Sequence, residues 1–288
     1  MARFIVGVDG SDSSADALRW ASREAEVRGA TVTALLAWNF LDQYHLDEDT
    51  TFDPHYGEDE ARRALVAAVQ RALGERAADV QLEVVCDLPA TALLDASGDA
   101  DLLVVGARGL GSFRGLVLGS VSQRCLEHAT CPVMVVHGTP GARAAHDRVV
   151  VGVDGSEHSA TALGWAVEEA RLRGAALEVV HAWEVPYAAE FTLVGDAYDA
   201  AQRGAEEVVD HMLVAAELEP DDVVRTVVQA SPVLALTDAA AGADLVVVGS
   251  RGRGGFAGLL LGSVSHQVSR HADVPVVVVP DPDRSADD

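Results

Sequence analysis

The chain contains no lysine; all 21 of its basic residues are arginine. That absence excludes the phosphate loop G-x-x-x-x-G-K-[ST], in which a lysine ammonium reaches the outer phosphates. Positive charge is also scarce, since 45 acids leave a formal net charge of −24. The deficit is spread over both halves, with 11 arginines against 21 acids in residues 1–138 and 10 against 24 in the remainder. A field of that sign repels nucleic acid phosphates and anionic lipid, so neither is an expected partner. Only three cysteines occur, Cys86, Cys125 and Cys131, all in the first half and with no C-x-x-C pair. They fit reduced, mostly buried thiols better than a disulfide framework or a zinc site. No apolar run reaches the length of about 18 residues that a membrane span needs, and no basic-then-apolar leader is seen, so a soluble cytoplasmic protein is expected. A Ser-His-Asp order, paired catalytic carboxylates and H-E-x-x-H are likewise missing.

What is present is a repeat. Gly7-Val8-Asp9-Gly10-Ser11 recurs as Gly152-Val153-Asp154-Gly155-Ser156, an offset of 145. Residues 106–122, GARGLGSFRGLVLGSVS, recur as residues 249–265, GSRGRGGFAGLLLGSVS, at an offset of 143. Two copies of one domain follow, each long enough for its own core. The expected boundaries are residues 1–138 for the first domain, 139–146 for a small, turn-prone linker, 147–280 for the second, and 281–288 for a disordered acidic tail.

Within each copy, short apolar runs alternate with helical patterns. In the first half strands are expected at Arg3–Asp9, Thr31–Trp38, Gln81–Cys86, Asp101–Val105 and Cys131–Val136. In the second they are expected at Arg148–Asp154, Ala176–Trp183, Val223–Gln229, Asp244–Val248 and Pro275–Val279. The helix expected over Gly57–Ala78 carries Leu65, Val69 and Leu73 at a spacing of four, and the second half has a counterpart over Asp196–Leu218. Five apolar strands alternating with helices define the fold class: α/β, two tandem doubly wound domains, each a five-stranded parallel sheet with helices on both faces. Ligands of such sheets lie beyond the carboxyl ends of the strands, where the connections reverse direction. If the first and fourth strands are neighbours there, Asp9 and Gly106 share one crevice, as do Asp154 and Gly249.

Both glycine stretches follow an apolar strand and lead into a helix near Ser120 or Ser263. Glycines let backbone N–H groups turn toward a bound group, and a helix start carries partial positive charge, so the pattern suits an anion. Each stretch lacks Asp and Glu and carries two arginines, Arg108 and Arg114 in one and Arg251 and Arg253 in the other. A single such loop reads better as a sharp strand-to-helix connection. Its repetition at the same spacing favours a phosphate cradle. The dinucleotide fingerprint G-x-G-x-x-G belongs in the first strand-to-helix turn, whereas these loops follow the fourth strand. For Asp9 and Asp154, turn formation and helix capping compete with a ligand role. Arg108 and Arg251 either reach phosphates or remain solvated.

The spacing G-x2-G-x9-G-[ST], together with Val-Asp-Gly-Ser after the first strand, resembles the ATP-binding branch of the universal stress proteins, in its tandem form, over nearly the whole chain. That resemblance implies an adenine nucleotide alpha hydrolase-like fold and one nucleotide site per domain. In the first domain it puts Gly7 and Asp9 by the adenosine, the backbone of Ala37 toward the base, and Gly106, Ala107, Arg108, Gly109, Leu110, Gly111, Gly119, Ser120 and Val121 around ribose and phosphates. In the second domain the same roles fall to Gly152, Asp154, Ala182, Gly249, Ser250, Arg251, Gly252, Arg253, Gly254, Gly262, Ser263 and Val264. Leu110 stands where the second copy has Arg253, and Arg114 where it has Ala257. Unequal affinities are therefore expected. The implied cofactor is ATP, with Mg held by phosphate oxygens and water rather than by protein side chains. Hydrolysis needs an acid to orient water, and the loops offer none, so turnover is expected to be slow or absent. A nucleotide-dependent stress-response regulator is the function implied, with an unidentified regulatory protein as partner. The alternatives are a slow ATP hydrolase or nucleotidyl transferase, and a scaffold whose sites hold AMP or cyclic AMP or stay empty. The resemblance also implies that the closing strands pair across a two-fold axis, within the chain or in a homodimer.

Overall fold

A computed structural model of the chain describes residues 1–39, 57–109, 118–138, 147–184, 196–254 and 260–281. The linker at 139–146 and the tail from 282 lie outside those residues. The chain forms two compact units, divided between residues 143 and 144.

The first unit runs β1 (Arg3–Gly7), α1 (Asp12–Arg28), β2 (Thr31–Trp38), α2 (Glu58–Leu73), β3 (Val80–Cys86), α3 (Pro89–Ser97), β4 (Leu102–Gly106), α4 (Ser120–His128) and β5 (Val133–Val136). Its strands are ordered β3-β2-β1-β4-β5 and every pairing is parallel. β1 therefore neighbours both β2 and β4, with Phe4 opposite Leu102 and Val6 opposite Val104, and the connections reverse direction between β1 and β4. Helix α1 packs on α2, and α3 on α4, so each face of the sheet is covered by one helix pair. With both faces covered, β4 and β5 are buried at every residue, which is why they read as unbroken apolar runs rather than alternating ones.

The second unit repeats the order with β6 (Arg148–Gly152), α5 (Glu157–Arg173), β7 (Ala176–Trp183), α6 (Asp196–Ala215), β8 (Val224–Gln229), α7 (Pro232–Ala240), β9 (Leu245–Gly249), α8 (Ser263–His271) and β10 (Val276–Val279). Its strands lie in the order β8-β7-β6-β9-β10, again all parallel.

Local chemistry explains the helix ends. Ser11 caps α1, its hydroxyl accepting from the Ser14 N–H at 3.1 Å, and Ser156 caps α5, accepting from the Ser159 N–H at 3.2 Å. Each cap is worth about 1 kcal/mol. Burying a large apolar side chain is worth about 1.5–3 kcal/mol, so Leu65 and Val69 on α2, and Val209 and Leu213 on α6, hold those helices down more firmly than any cap. The second helix stops at Leu73, short of the expected Ala78, because Gly74 takes φ 60° and the chain tightens into a 3₁₀ segment over Gly74–Asp79. Its counterpart stops at Ala215, and Glu217 takes φ 55° just beyond it.

No helix among the described residues is long and apolar enough to cross a membrane. Cys86 is exposed, while Cys125 and Cys131 are buried, and burial pushes both thiols up to about 12.

Candidate functional site

In each unit the carboxyl ends of β1 and β4, or of β6 and β9, lie side by side at the switch point, where doubly wound sheets leave a crevice. After β1 the chain turns through Asp9 and Gly10, and Gly10 takes φ 84°; Gly155 takes φ 79° at the same place after β6. Only glycine enters that region without strain. The turn is held by the acid: the Ser11 N–H and hydroxyl donate to Asp9 Oδ1 at 3.0 and 2.6 Å, and the Ser156 N–H and hydroxyl donate to Asp154 Oδ1 at the same distances. Both acids are thus turn formers, the bland role their position suggested. Their second oxygens nevertheless face the glycine loop.

That contact explains two glycines of the frame. A Cβ on Gly109 would fall 2.5 Å from Asp9 Oδ2, and one on Gly252 would be closer still to Asp154 Oδ2. Side chains are excluded where the loop crosses the acid. In the second unit the Arg253 N–H donates to Asp154 Oδ2 at 2.7 Å, so both carboxylate oxygens are bonded. Burial pushes the Asp154 carboxyl up, but hydrogen bonds from the Ser156 hydroxyl, the Arg253 N–H, the Ser156 N–H and the Ser159 hydroxyl outweigh it and leave the group below the usual carboxylate range.

Gly106 and Gly249 answer a second close approach. A Cβ on Gly106 would meet Ser13 Oγ at 2.5 Å, and one on Gly249 would meet the His158 carbonyl oxygen at 2.8 Å, so the last residue of the fourth strand lies against the first turn of α1 or α5. The root of each loop is then closed by paired bonds. Gly119 N–H donates to the Ala107 carbonyl at 2.8 Å and the Ser122 hydroxyl to the Gly106 carbonyl at 2.7 Å. Gly262 N–H donates to the Ser250 carbonyl at 2.7 Å and the Ser265 hydroxyl to the Gly249 carbonyl at 2.6 Å.

Gly119 and Gly262 differ from those four. They are the N-caps of α4 and α8, with φ −77° and −71°, a conformation any residue adopts. A Cβ there would make ordinary contacts, 3.6 Å or more at Gly119 and 3.4 Å or more at Gly262. Neither helix start has a side-chain cap. Serine, aspartate or asparagine would stabilise it, as Ser11 and Ser156 do for α1 and α5. Among the described residues, no side chain accepts from the first-turn N–H groups of either helix through its N-cap. Ser120 and Ser263 are exposed at that turn.

Some expected residues have partners of their own within the protein. Gly7 and Gly152 back onto Leu93 and Leu236, where a Cβ would fall at 3.0 and 2.9 Å, so room for α3 and α7 accounts for these glycines. Ala107 is 4% exposed and Ser250 fully buried; their carbonyls serve the loop root, and the Ser250 hydroxyl lies out of reach of solvent. Arg251 does not reach toward the crevice: its guanidinium is paired with Asp281, whose Oδ2 also lies 3.0 Å from His158 Nε2. Asp281, assigned by sequence to the acidic tail, is therefore tied to the loop root. Arg108 is exposed and its N–H donates to Ser13 Oγ at 3.2 Å. Arg253 lays its guanidinium on the Asp154 turn, since a Cβ on Gly155 would fall 2.8 Å from its Nη2. Exposed Gly254 has nothing within 4 Å of a built Cβ. Ala37 and Ala182 lie near the ends of β2 and β7, half-buried and paired with Val85 and Val228. Leu110, Gly111, Arg114 and Ala257 fall outside the described residues.

Two side chains beside the crevice were not anticipated. Arg71, on α2, donates from Nη2 to the Gly10 carbonyl at 3.0 Å. His181, on β7, is buried with Nδ1 2.8 Å from the Val153 carbonyl, just ahead of Asp154. No group of three or more His, Cys, Asp or Glu side chains able to hold a metal occurs among the described residues.

Two doubly wound parallel domains in tandem, each with a glycine loop laid across an acid at the switch point, define the class of protein. Residues 1–137 and 146–280 each match the model of the Universal stress protein family, and the chain belongs to that family. It is similar to a universal stress protein of Mycolicibacterium smegmatis, 38% identical over 96% of this chain and 96% of that protein. The universal stress protein Rv2623 of Mycobacterium tuberculosis is 36% identical over 96% of this chain and 95% of its own. Among solved structures, a universal stress protein from Archaeoglobus fulgidus matches the fold with a TM-score of 0.67 at 23% identity, covering 96% of this chain and 98% of that one.

Proposed function

We propose that each unit holds one adenine nucleotide, ATP in the first instance, and that occupancy makes the protein a nucleotide-dependent stress-response regulator in the cytoplasm. The observation that carries this is the pair of uncapped helix starts. Glycine stands at 119 and 262 although neither backbone strain nor packing demands it, and a helix N-terminus reached through a glycine loop seats phosphate oxygens on its N–H groups. Gly109 and Gly252 let the loop cross the acid, and Gly106 and Gly249 let its root lie against α1 and α5, which fixes where those N–H groups point. On this proposal Gly109, Gly119, Ser120 and Val121 take the phosphates in one unit and Gly252, Gly262, Ser263 and Val264 in the other, with Asp9 and Asp154 beside the ribose. Magnesium, when bound, is held by phosphate oxygens and water.

Binding rather than turnover is the better-supported activity. Asp154 has both oxygens bonded and a depressed pKa, which suits it poorly to take a proton from an attacking water. Regulation then follows from linkage: a partner protein, or a second copy of the chain, that prefers the filled form must also tighten ATP binding. The test is to denature the purified protein and identify released nucleotide by chromatography. Adenine nucleotide, or its uptake on titration into the emptied protein, is the expected result. Its absence by both routes contradicts the proposal, and steady phosphate release that disappears in Asp9→Ala and Asp154→Ala proteins favours a hydrolase instead.

A further inference from the structure

The guanidinium over the first turn comes from a different element in each unit. In the second unit it is Arg253, carried by the glycine loop and lying on Gly155. In the first unit the loop has Leu110 at that position, and Arg71 reaches the Gly10 carbonyl from α2. The helices can be matched through their buried anchors: Ala61, Leu65 and Val69 on α2 correspond to Ala205, Val209 and Leu213 on α6. On that match Ala64 corresponds to Val208, which also touches the Gly155 position, and Arg71, two turns further along the same face, corresponds to Ala215. Arginine and alanine have thus exchanged places on the helix while leucine and arginine exchanged places on the loop. Each exchange leaves one guanidinium beside the acid turn.

A brace for the turn would not need to be cationic, and in a chain of net charge −24 an arginine beside the Asp9 turn is the group that counters phosphate repulsion. We propose, resting on the nucleotide reading above, that Arg71 is a phosphate-binding residue of the first site and does from the helix what Arg253 does from the loop. α2 is anchored by buried Leu65 and Val69, so the first site carries its cation on a packed helix, whereas the second carries its cation on the loop itself.

The test is calorimetric titration of wild-type protein, Arg71→Gln and Arg71→Lys with ATP, AMP and adenosine at two salt concentrations. Arg71→Gln is expected to weaken ATP about tenfold or more at one of the two sites, AMP less, and adenosine by less than about twofold, with the ATP loss shrinking as salt rises. Arg71→Lys is expected to recover part of the loss, because it keeps the charge without the planar fork. Equal weakening of ATP and adenosine would make Arg71 a structural brace and overturn the inference, as would unchanged ATP binding at both sites. Wild-type protein that binds none of the three ligands would overturn the nucleotide reading together with this one, which separates the two failures.

Discussion

In the second unit Asp281 bonds both Arg251 and His158, and the Arg253 N–H and guanidinium close onto the Asp154-Gly155 turn. At the same places the first unit has Gly138 for Asp281 and Ser13 for His158, and the loop is met there by a hydroxyl that accepts from the Arg108 N–H. The strand order, the glycine frame, the capping serines and the acid turn are the same in both. Geometry is therefore set by what the backbone requires, and charge is attached to it from whichever element is within reach. Two sites built this way should share a ligand and differ in affinity.

The largest expected effect on that comparison comes from a methyl group at the loop crossing. Gly252→Ala drives a Cβ against Asp154, and Gly109→Ala against Asp9, at a strain of about 1–3 kcal/mol. Each should weaken ATP by about 10- to 100-fold in its own unit only, leaving one nucleotide per chain in a titration. Loss of both sites from one substitution would mean that the units are not independent.

Next in size is Asp154→Asn. It weakens the charge-assisted bonds from Ser156 and the Arg253 N–H, with an expected cost of about 1.5–3 kcal/mol to the second unit at neutral pH, read from denaturant unfolding. The native pKa is depressed, so the carboxylate's contribution is complete above the unfolded value and is lost as pH falls below about 4 through the native value. Wild-type protein should therefore lose more stability than the variant over that acid range. Asp281→Ala should cost less, about 0.5–1 kcal/mol in the second unit, since it removes a partly exposed pair; Gly138→Ala provides no matching test because Gly138 has φ 63°. The smallest effect is chemical: at mild alkaline pH one thiol per chain, Cys86, should alkylate in the native state, and Cys125 and Cys131 only after unfolding.

Much of this was legible in the sequence because it rests on local rules. The apolar runs specify the strands, and Val-Asp-Gly-Ser after the first strand together with the two glycine frames, each repeated at a nearly constant offset, specifies what meets at the switch point. What escaped depends on contacts between distant segments. Arg71 looks like any other arginine on an amphipathic helix with Arg62 and Arg63 nearby, and only packing brings it to Gly10. Asp281 sits in a Pro-Asp run that reads as tail, yet the fold ends β10 beside the loop root. The resemblance gives Gly7 and Gly152 to the adenosine, and nothing in the sequence shows that Leu93 and Leu236, from a later helix, fill the space a Cβ would take there. Ser250, in register with Ala107, is polar in sequence and sealed in structure.

The most direct measurement is the native mass of the chain titrated with ATP, comparing wild type with the Gly119→Ala, Gly262→Ala double variant, in which methyl groups intrude on the two helix starts without a clash in the unliganded fold. Wild-type chains should gain the mass of one and then two nucleotides while the double variant, still folded at a cost of about 0.5–1 kcal/mol per cap, gains neither at the same concentrations. Equal uptake by the two proteins, or none by the wild type, would contradict the assignment of those helix starts as phosphate seats.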